Sequence, residues 1–150
     1  MTREKLVRPI VESAGYHSTG SWHPMPEQWR TNVQYLLMIY ADQAAFATMT
    51  PEQGKAMTES YAQFTQDIVK SGHLKGGDRL KPANTATTIR LKDGKPMMTD
   101  GPFAETREQL AGYYLIEAKD LDEATMIASR IPMGTGAIEV RPVDVMARQY

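Results

Sequence analysis

The chain has 150 residues, 41% hydrophobic and 23% charged, which is enough for one domain around a single core. Seventeen Lys and Arg against 18 Asp and Glu leave a net charge of -1, with no cationic excess of the kind a general nucleic-acid binder uses. There is no cysteine, which excludes disulfides, thiolate catalysis and cysteine-based zinc sites, and the composition suits a cytoplasmic protein.

Residues 1–31 read as an N-terminal extension and residues 32–150 as the domain. Pro9, Gly15, Gly20, Pro24 and Pro26 interrupt any regular period in the extension, and Val7, Ile10 and Val11 support a helical turn at most. Arg3, Lys5 and Arg8 have no apolar stretch behind them, so no signal peptide is expected. No apolar run anywhere approaches the roughly 20 residues that span a bilayer, so no membrane partner is expected. His17, His23, Trp22 and Trp29 also lie in the extension. A flexible arm, or a start assigned too far upstream, is one reading of it. An arm that packs a tryptophan on a partner subunit is the other.

Val33–Tyr40 is apolar on both faces, as in a strand at the middle of a sheet. Thr50-Pro51-Glu52-Gln53 predicts a helix start: Thr50 caps, Pro51 takes the first helical position and Gln53 completes a capping box. Met57, Tyr61, Phe64 and Ile68 follow as one stripe, and Gly72 ends the helix. Leu74–Leu80 reads as a short strand interrupted by Gly76-Gly77. Thr85–Lys92 and Lys95–Thr99 form a hairpin about Asp93-Gly94. Leu110–Glu117 is a further strand. Asp120 caps a second helix with the stripe Leu121, Ala124, Ile127 or Ala128, and Ile131. Ala137–Val143 is the last strand.

The order is βαβββαβ, and removal of one hairpin strand leaves the split βαβ plan of a ferredoxin-like α+β fold. Two amphipathic helices would cover one face of an antiparallel sheet. The opposite face, apolar along the first strand, then calls for a cover, and a second copy in a homodimer is the simplest one.

Asp100-Gly101-Pro102-Phe103 joins a carboxylate, turn residues and an aromatic ring between two strands. Two roles fit Asp100. Partial desolvation beside Phe103 would raise its pKa and make it a general acid or base. Alternatively its carboxylate accepts backbone N–H bonds in a tight turn while Gly101 supplies an unusual φ. Glu105 and Arg107 would orient Asp100 or hold an anion, or form an exposed ion pair. Tyr40, Asp42, Tyr113 and Tyr114 lie on strands or at their ends, with Tyr113 and Tyr114 on opposite faces. His73, after Gly72, suits a helix C-terminus. The basic pairs Arg79/Lys81 and Arg90/Lys92 read as solvated strand faces. No dinucleotide fingerprint, serine elbow or zinc motif is present, so no cofactor or metal is expected.

Read in order, Tyr35–Tyr40, Thr85–Thr88, Asp93–Lys95, Thr99–Thr106, Leu110–Tyr114 and Leu121–Ala124 give the chain a sequence that resembles the YCII-related family, and within it the branch named for Asp-Gly-Pro-Phe. The resemblance runs from about Gln34 to Val143. It implies a dimeric α+β barrel of ferredoxin-like protomers with a cleft near the dimer interface and Asp100 beside it. One relative in that family is a dehydrochlorinase that uses a His-Asp pair. The present domain has only His73 and no matching histidine. Relatives of the branch are often encoded beside extracytoplasmic-function sigma factors, which implies a partner in transcription regulation.

Two functions follow. The first is a small-molecule enzyme or binding protein: Asp100 moves a proton, Gly101 and Pro102 shape the loop, and Tyr40, Phe103, Glu105, Arg107 and Tyr113 hold an aromatic or carboxylate-bearing ligand. The second is a ligand-sensing or regulatory partner of a sigma factor, without turnover and without direct DNA contact.

Overall fold

The computed structural model of the chain describes residues 32–144. The reading of residues 1–31 as an extension, with its tryptophans and histidines, lies outside them. The elements run β1 (Val33–Asp42), α1 (Gln43–Ala47), α2 (Pro51–Lys70), β2 (Leu74–Arg79), β3 (Thr87–Lys92), β4 (Lys95–Asp100), β5 (Glu108–Ala118), α3 (Leu121–Ala128) and β6 (Ala137–Pro142). A single 3-10 turn, Ala83–Thr85, lies between β2 and β3.

Four strands form one antiparallel sheet in the order β2-β5-β1-β6, with β1 and β5 at its centre. This is the ferredoxin-like α+β arrangement. Each helix crossover returns the chain to a non-adjacent position, so the first and third sheet strands become neighbours. Both hairpin strands, β3 and β4, lie outside this sheet as a two-stranded ribbon of their own, whereas the sequence order treats only one of them as surplus. The glycine-containing turn between them is the one expected: Asp93 and Gly94 both have positive φ (51° and 75°), the twist that closes a two-residue hairpin.

The helix signals hold at the level of single hydrogen bonds. Thr50 Oγ1 accepts from the Gln53 amide at 3.2 Å while Gln53 Oε1 accepts from the Thr50 amide at 2.9 Å. At the other end the His73 amide donates to the Ile68 carbonyl and the Gly72 amide to Val69, both at 3.0 Å, with Gly72 at φ 77°. This is the paired closure that a left-handed glycine permits. Asp120 Oδ1 accepts from the Glu123 amide and starts α3. The five-residue α1 has no signature in the sequence because it is too short to show a period; Asp42 caps it through the Ala44 amide.

The helices α2 and α3 pack on one sheet face. Tyr35, Leu37 and Ile39 of β1 and Ile116 of β5 meet Phe64 and Ile68 of α2 and Ala124, Ile127 and Ala128 of α3. Leu121, counted in the stripe of α3, is exposed instead, and the buried residues of the helix are Ala124, Ile127 and Ala128. Along β1 the core-facing residues are buried and the alternate ones only half-buried, the mark of a sheet covered on one face.

Candidate functional site

The apolar stripe of α2 is not uniformly buried. Phe64 and Ile68 are in the core, whereas Met57 and Tyr61 of the same stripe border open space. A cavity of about 790 Å³ lies there, between α2, α1 and the β2–β5 edge of the sheet. That volume falls within the roughly 300–1,000 Å³ of small-molecule sites. Its walls are largely apolar, with Ile39, Phe46, Met57, Leu74, Leu80 and Pro82 among them.

Where β2 borders this space it carries a glycine, Gly77. A Cβ on Gly77 would stand 2.7 Å from the Tyr113 carbonyl oxygen and 2.8 Å from the Tyr114 ring. The glycine therefore lets β2 lie close against β5 with the Tyr114 ring beside it. The same close approach explains Gly112, whose added Cβ would stand 2.9 Å from the Asp78 carbonyl oxygen.

Polar groups converge on one part of the apolar wall. Thr65 Oγ1 donates to the Tyr61 carbonyl at 2.8 Å and lies 2.8 Å from the Tyr114 hydroxyl. A threonine hydroxyl has one proton, so Tyr114 donates in the second bond and keeps lone pairs free to accept. Its ring is held edge-on by Phe64, with centroids 5.3 Å apart. The Tyr61 hydroxyl has no hydrogen-bond partner among the described residues. Burial raises its pKa, the neighbouring Tyr114 adds to the rise, and Arg79 opposes it. Tyr61, Tyr114 and Arg79 are thus within electrostatic range of one another. Arg79 stands opposite Gly112, itself opposite Ile39, on the sheet face that the helices cover. Asp78, its neighbour, lies opposite Tyr113 on the other face and accepts that tyrosine's hydroxyl bond at 3.2 Å. The Asp78 carboxylate accordingly pushes the Tyr113 pKa up, because the bond favours the neutral phenol.

The residues singled out from the sequence are dispersed. Of them Tyr113 and Tyr114 border the cavity, as does Arg79 of the basic pairs, and the rest do not. Asp100 ends β4, exposed, and its carboxylate has no hydrogen-bond partner among the described residues. The loop is anchored by Gly101 instead: its amide donates to the Ala86 carbonyl at 2.7 Å, its carbonyl accepts from Thr88 Oγ1 at 2.8 Å, and its φ is 106°. Phe103 is 75% exposed, with the Arg90 guanidinium over its ring at 4.9 Å. Glu105 is exposed. Arg107 Nε donates to Asp42 Oδ2 at 2.9 Å, which engages that cation and holds the Asp42 carboxyl below its ordinary pKa. Tyr40 is half-buried on β1, its hydroxyl 3.9 Å from Met38 Sδ. His73 lies 3.5 Å from Glu123 and 2.7 Å from Ser71. No group of acidic or histidine side chains suited to a metal occurs among the described residues, and none of their helices is long and apolar enough to cross a membrane.

The cavity residues Tyr61, Thr65 and Arg79 escape a reading by pattern. Tyr61 belongs to a helical stripe indistinguishable from core, and Arg79 is exposed as a solvated strand residue is, with nothing in its segment to announce the cavity it borders. The available signal was Gly76-Gly77, two glycines inside a strand, which marks a close approach of backbone.

The sequence pattern of the YCII-related domain matches residues 33–147, the whole of the ordered sheet and both covering helices. A protein of Rhizobium meliloti (strain 1021), described as uncharacterized, is 36% identical over 112 residues, which cover 73% of this chain and 90% of the relative.

Proposed function

The chain belongs to the YCII-related family, and on that footing we propose that it is a small-molecule-binding protein whose ligand occupies the cavity between α2, α1 and the β2–β5 edge of the sheet. The observation that carries this reading is the cavity itself: an apolar chamber with tyrosine and threonine hydroxyls gathered on one part of its wall, the composition of a site that orients an organic molecule. We assign the sequence to the Asp-Gly-Pro-Phe branch, but in this reading the Asp100 loop lies outside the cavity and acts as a structural return of the chain, fastened through Gly101.

The protein acts as a homodimer in this reading. Leu36, Met38 and Leu115 lie on the sheet face that the helices leave open. The ribbon β3–β4 carries Ile89, Leu91 and Met98 at 59, 76 and 72% exposure. The cross-strand pairs Ile89–Met98 and Leu91–Pro96 put these residues on one face of the ribbon. A lone two-stranded ribbon is marginal in water, so an apolar face of this kind favours a covering surface.

The test is native mass spectrometry of protein purified gently from its own host, beside a Met57→Trp variant that fills the cavity. A dimer with a bound small molecule, lost in Met57→Trp at unchanged dimer mass, is the expected result. A small molecule retained by the filled variant, or no small molecule in either protein, would refute the cavity as its site.

A further inference from the structure

We infer that the ligand of this cavity is an organic carboxylate with an aromatic body, selected by Arg79. The inference rests on the cavity being a ligand site, as proposed above, and adds the chemical class.

The walls set the body of the ligand. Phe46, Tyr61 and Tyr114 present rings to the space, and flat aromatic molecules gain the most from packing against rings. Arg79 sets the charge. The other arginines among the described residues all have a partner: Arg107 bonds Asp42, Arg130 bonds Asp67, Arg141 bonds Glu139, and Arg90 lies over Phe103. Arg79 has no hydrogen bond or ion pair among these residues, although it borders an apolar space. Its nearest carboxylate in sequence, Asp78, also borders the cavity, but its strand position is on the opposite sheet face and it takes the Tyr113 hydroxyl. A guanidinium left in this position offers its planar pair of donors to a carboxylate that arrives from outside. Arg79 is itself exposed at the mouth of this space, so a ligand carboxylate can reach it from solvent while the ligand body packs on the apolar wall.

The hydroxyls refine the class. Tyr114 spends its proton on Thr65, so it presents an acceptor, and the Tyr61 hydroxyl is unpaired. A ligand hydroxyl at the end away from the carboxylate complements both. A hydroxylated aromatic acid therefore satisfies the cavity more completely than a simple one.

The experiment is a fluorescence titration with 6-hydroxy-2-naphthoate and its neutral analogue 6-hydroxy-2-naphthamide. It compares the native protein with Arg79→Gln, Arg79→Lys and the remote control Arg107→Gln, each first checked for native circular dichroism. The native protein and Arg107→Gln should bind the acid about 10-fold or more tightly than the amide, the scale of a charged hydrogen bond. Arg79→Gln should lose that preference while its amide affinity stays within about twofold, and Arg79→Lys should keep part of it, since it retains the charge without the planar fork. Equal binding of acid and amide by the native protein, or a preference that survives Arg79→Gln, overturns the anion assignment and leaves the cavity reading standing. Binding of neither probe by the native protein overturns both.

Discussion

Adjacent glycines in β2 should respond oppositely to the same substitution, and the difference measures the packing that shapes the cavity. An added Cβ at Gly76 meets nothing within 4 Å. Gly76→Ala should therefore be neutral or stabilise by about 0.4–1 kcal/mol, through the reduced freedom of the unfolded chain. The same gain applies to Gly77→Ala, so it cancels when the two variants are compared. At Gly77 the new Cβ stands 2.7 Å from the Tyr113 carbonyl oxygen and 2.8 Å from the Tyr114 ring. The backbone oxygen belongs to β5, paired on both sides within the sheet, and cannot retreat easily. Relief requires β2, an edge strand, to move outward or the Tyr114 ring to turn. Overpacking of this kind costs about 1–3 kcal/mol. Turning the ring also breaks the 2.8 Å bond to Thr65, worth about 1 kcal/mol. The two variants should differ by about 2–4 kcal/mol, which at a slope of about 2 kcal/mol/M separates their urea midpoints by about 1–2 M. Equilibrium unfolding followed by circular dichroism, with equal slopes for both variants, is the assay. Coincident midpoints would show that β2 and β5 do not approach each other at Gly77 as described.

Three further outcomes follow from single contacts. Asp100→Asn should leave the unfolding midpoint within error, because the carboxylate has no partner among the described residues. Gly101→Ala should destabilise by about 1–3 kcal/mol, since φ 106° is strained for any side chain; equal effects from the two would reverse the roles given to them. Asp42, bonded by Arg107, should titrate below an ordinary aspartate by carbon-detected NMR. A depressed folded pKa gives a contribution present above the unfolded value and lost as pH falls through the folded one, so Arg107→Gln should raise the Asp42 pKa and remove that acid-range dependence. An unchanged Asp42 titration in the variant would count against the pair. Thr50→Ala should cost about 1 kcal/mol, the usual value of an N-cap, and Thr50→Ser should restore most of it; a null effect in Thr50→Ala would mean the capping box contributes nothing to stability.

The elements with a strong local cause were legible before any coordinates. The capping box at Thr50 and Gln53, the left-handed Gly72, the Asp93-Gly94 turn and the Asp120 cap each place a hydrogen bond within a few residues of the side chain responsible, so sequence alone carries the information. The two helical stripes and the apolar β1 likewise foretold a sheet with helices on one face. The site was less legible. Arg107 looked available because nothing in its own segment announces Asp42, 65 residues earlier. Arg79 is exposed, as its reading as a solvated strand residue had it, but strand alternation gives the face of a residue and not the cavity that borders it. Asp100 drew attention through its neighbours in sequence, yet the loop that holds it is fastened by the Gly101 backbone.

Sequence by itself determined the order of the strands and the two longer helices (though not the five-residue α1), their boundaries to within a few residues, the tight turns and the family. All of these follow from periodicity and from contacts short in sequence. Tertiary structure decided that both hairpin strands leave the sheet, that Met57 and Tyr61 of the α2 stripe border an open cavity while Phe64 and Ile68 pack, and that Tyr61, Thr65, Tyr114 and Arg79 share one space. Those outcomes depend on how closely β2 can approach β5 and how far the start of α2 stands from the sheet. Such distances are set by side-chain volumes on elements far apart in the chain, which leave no periodic trace in any one of them.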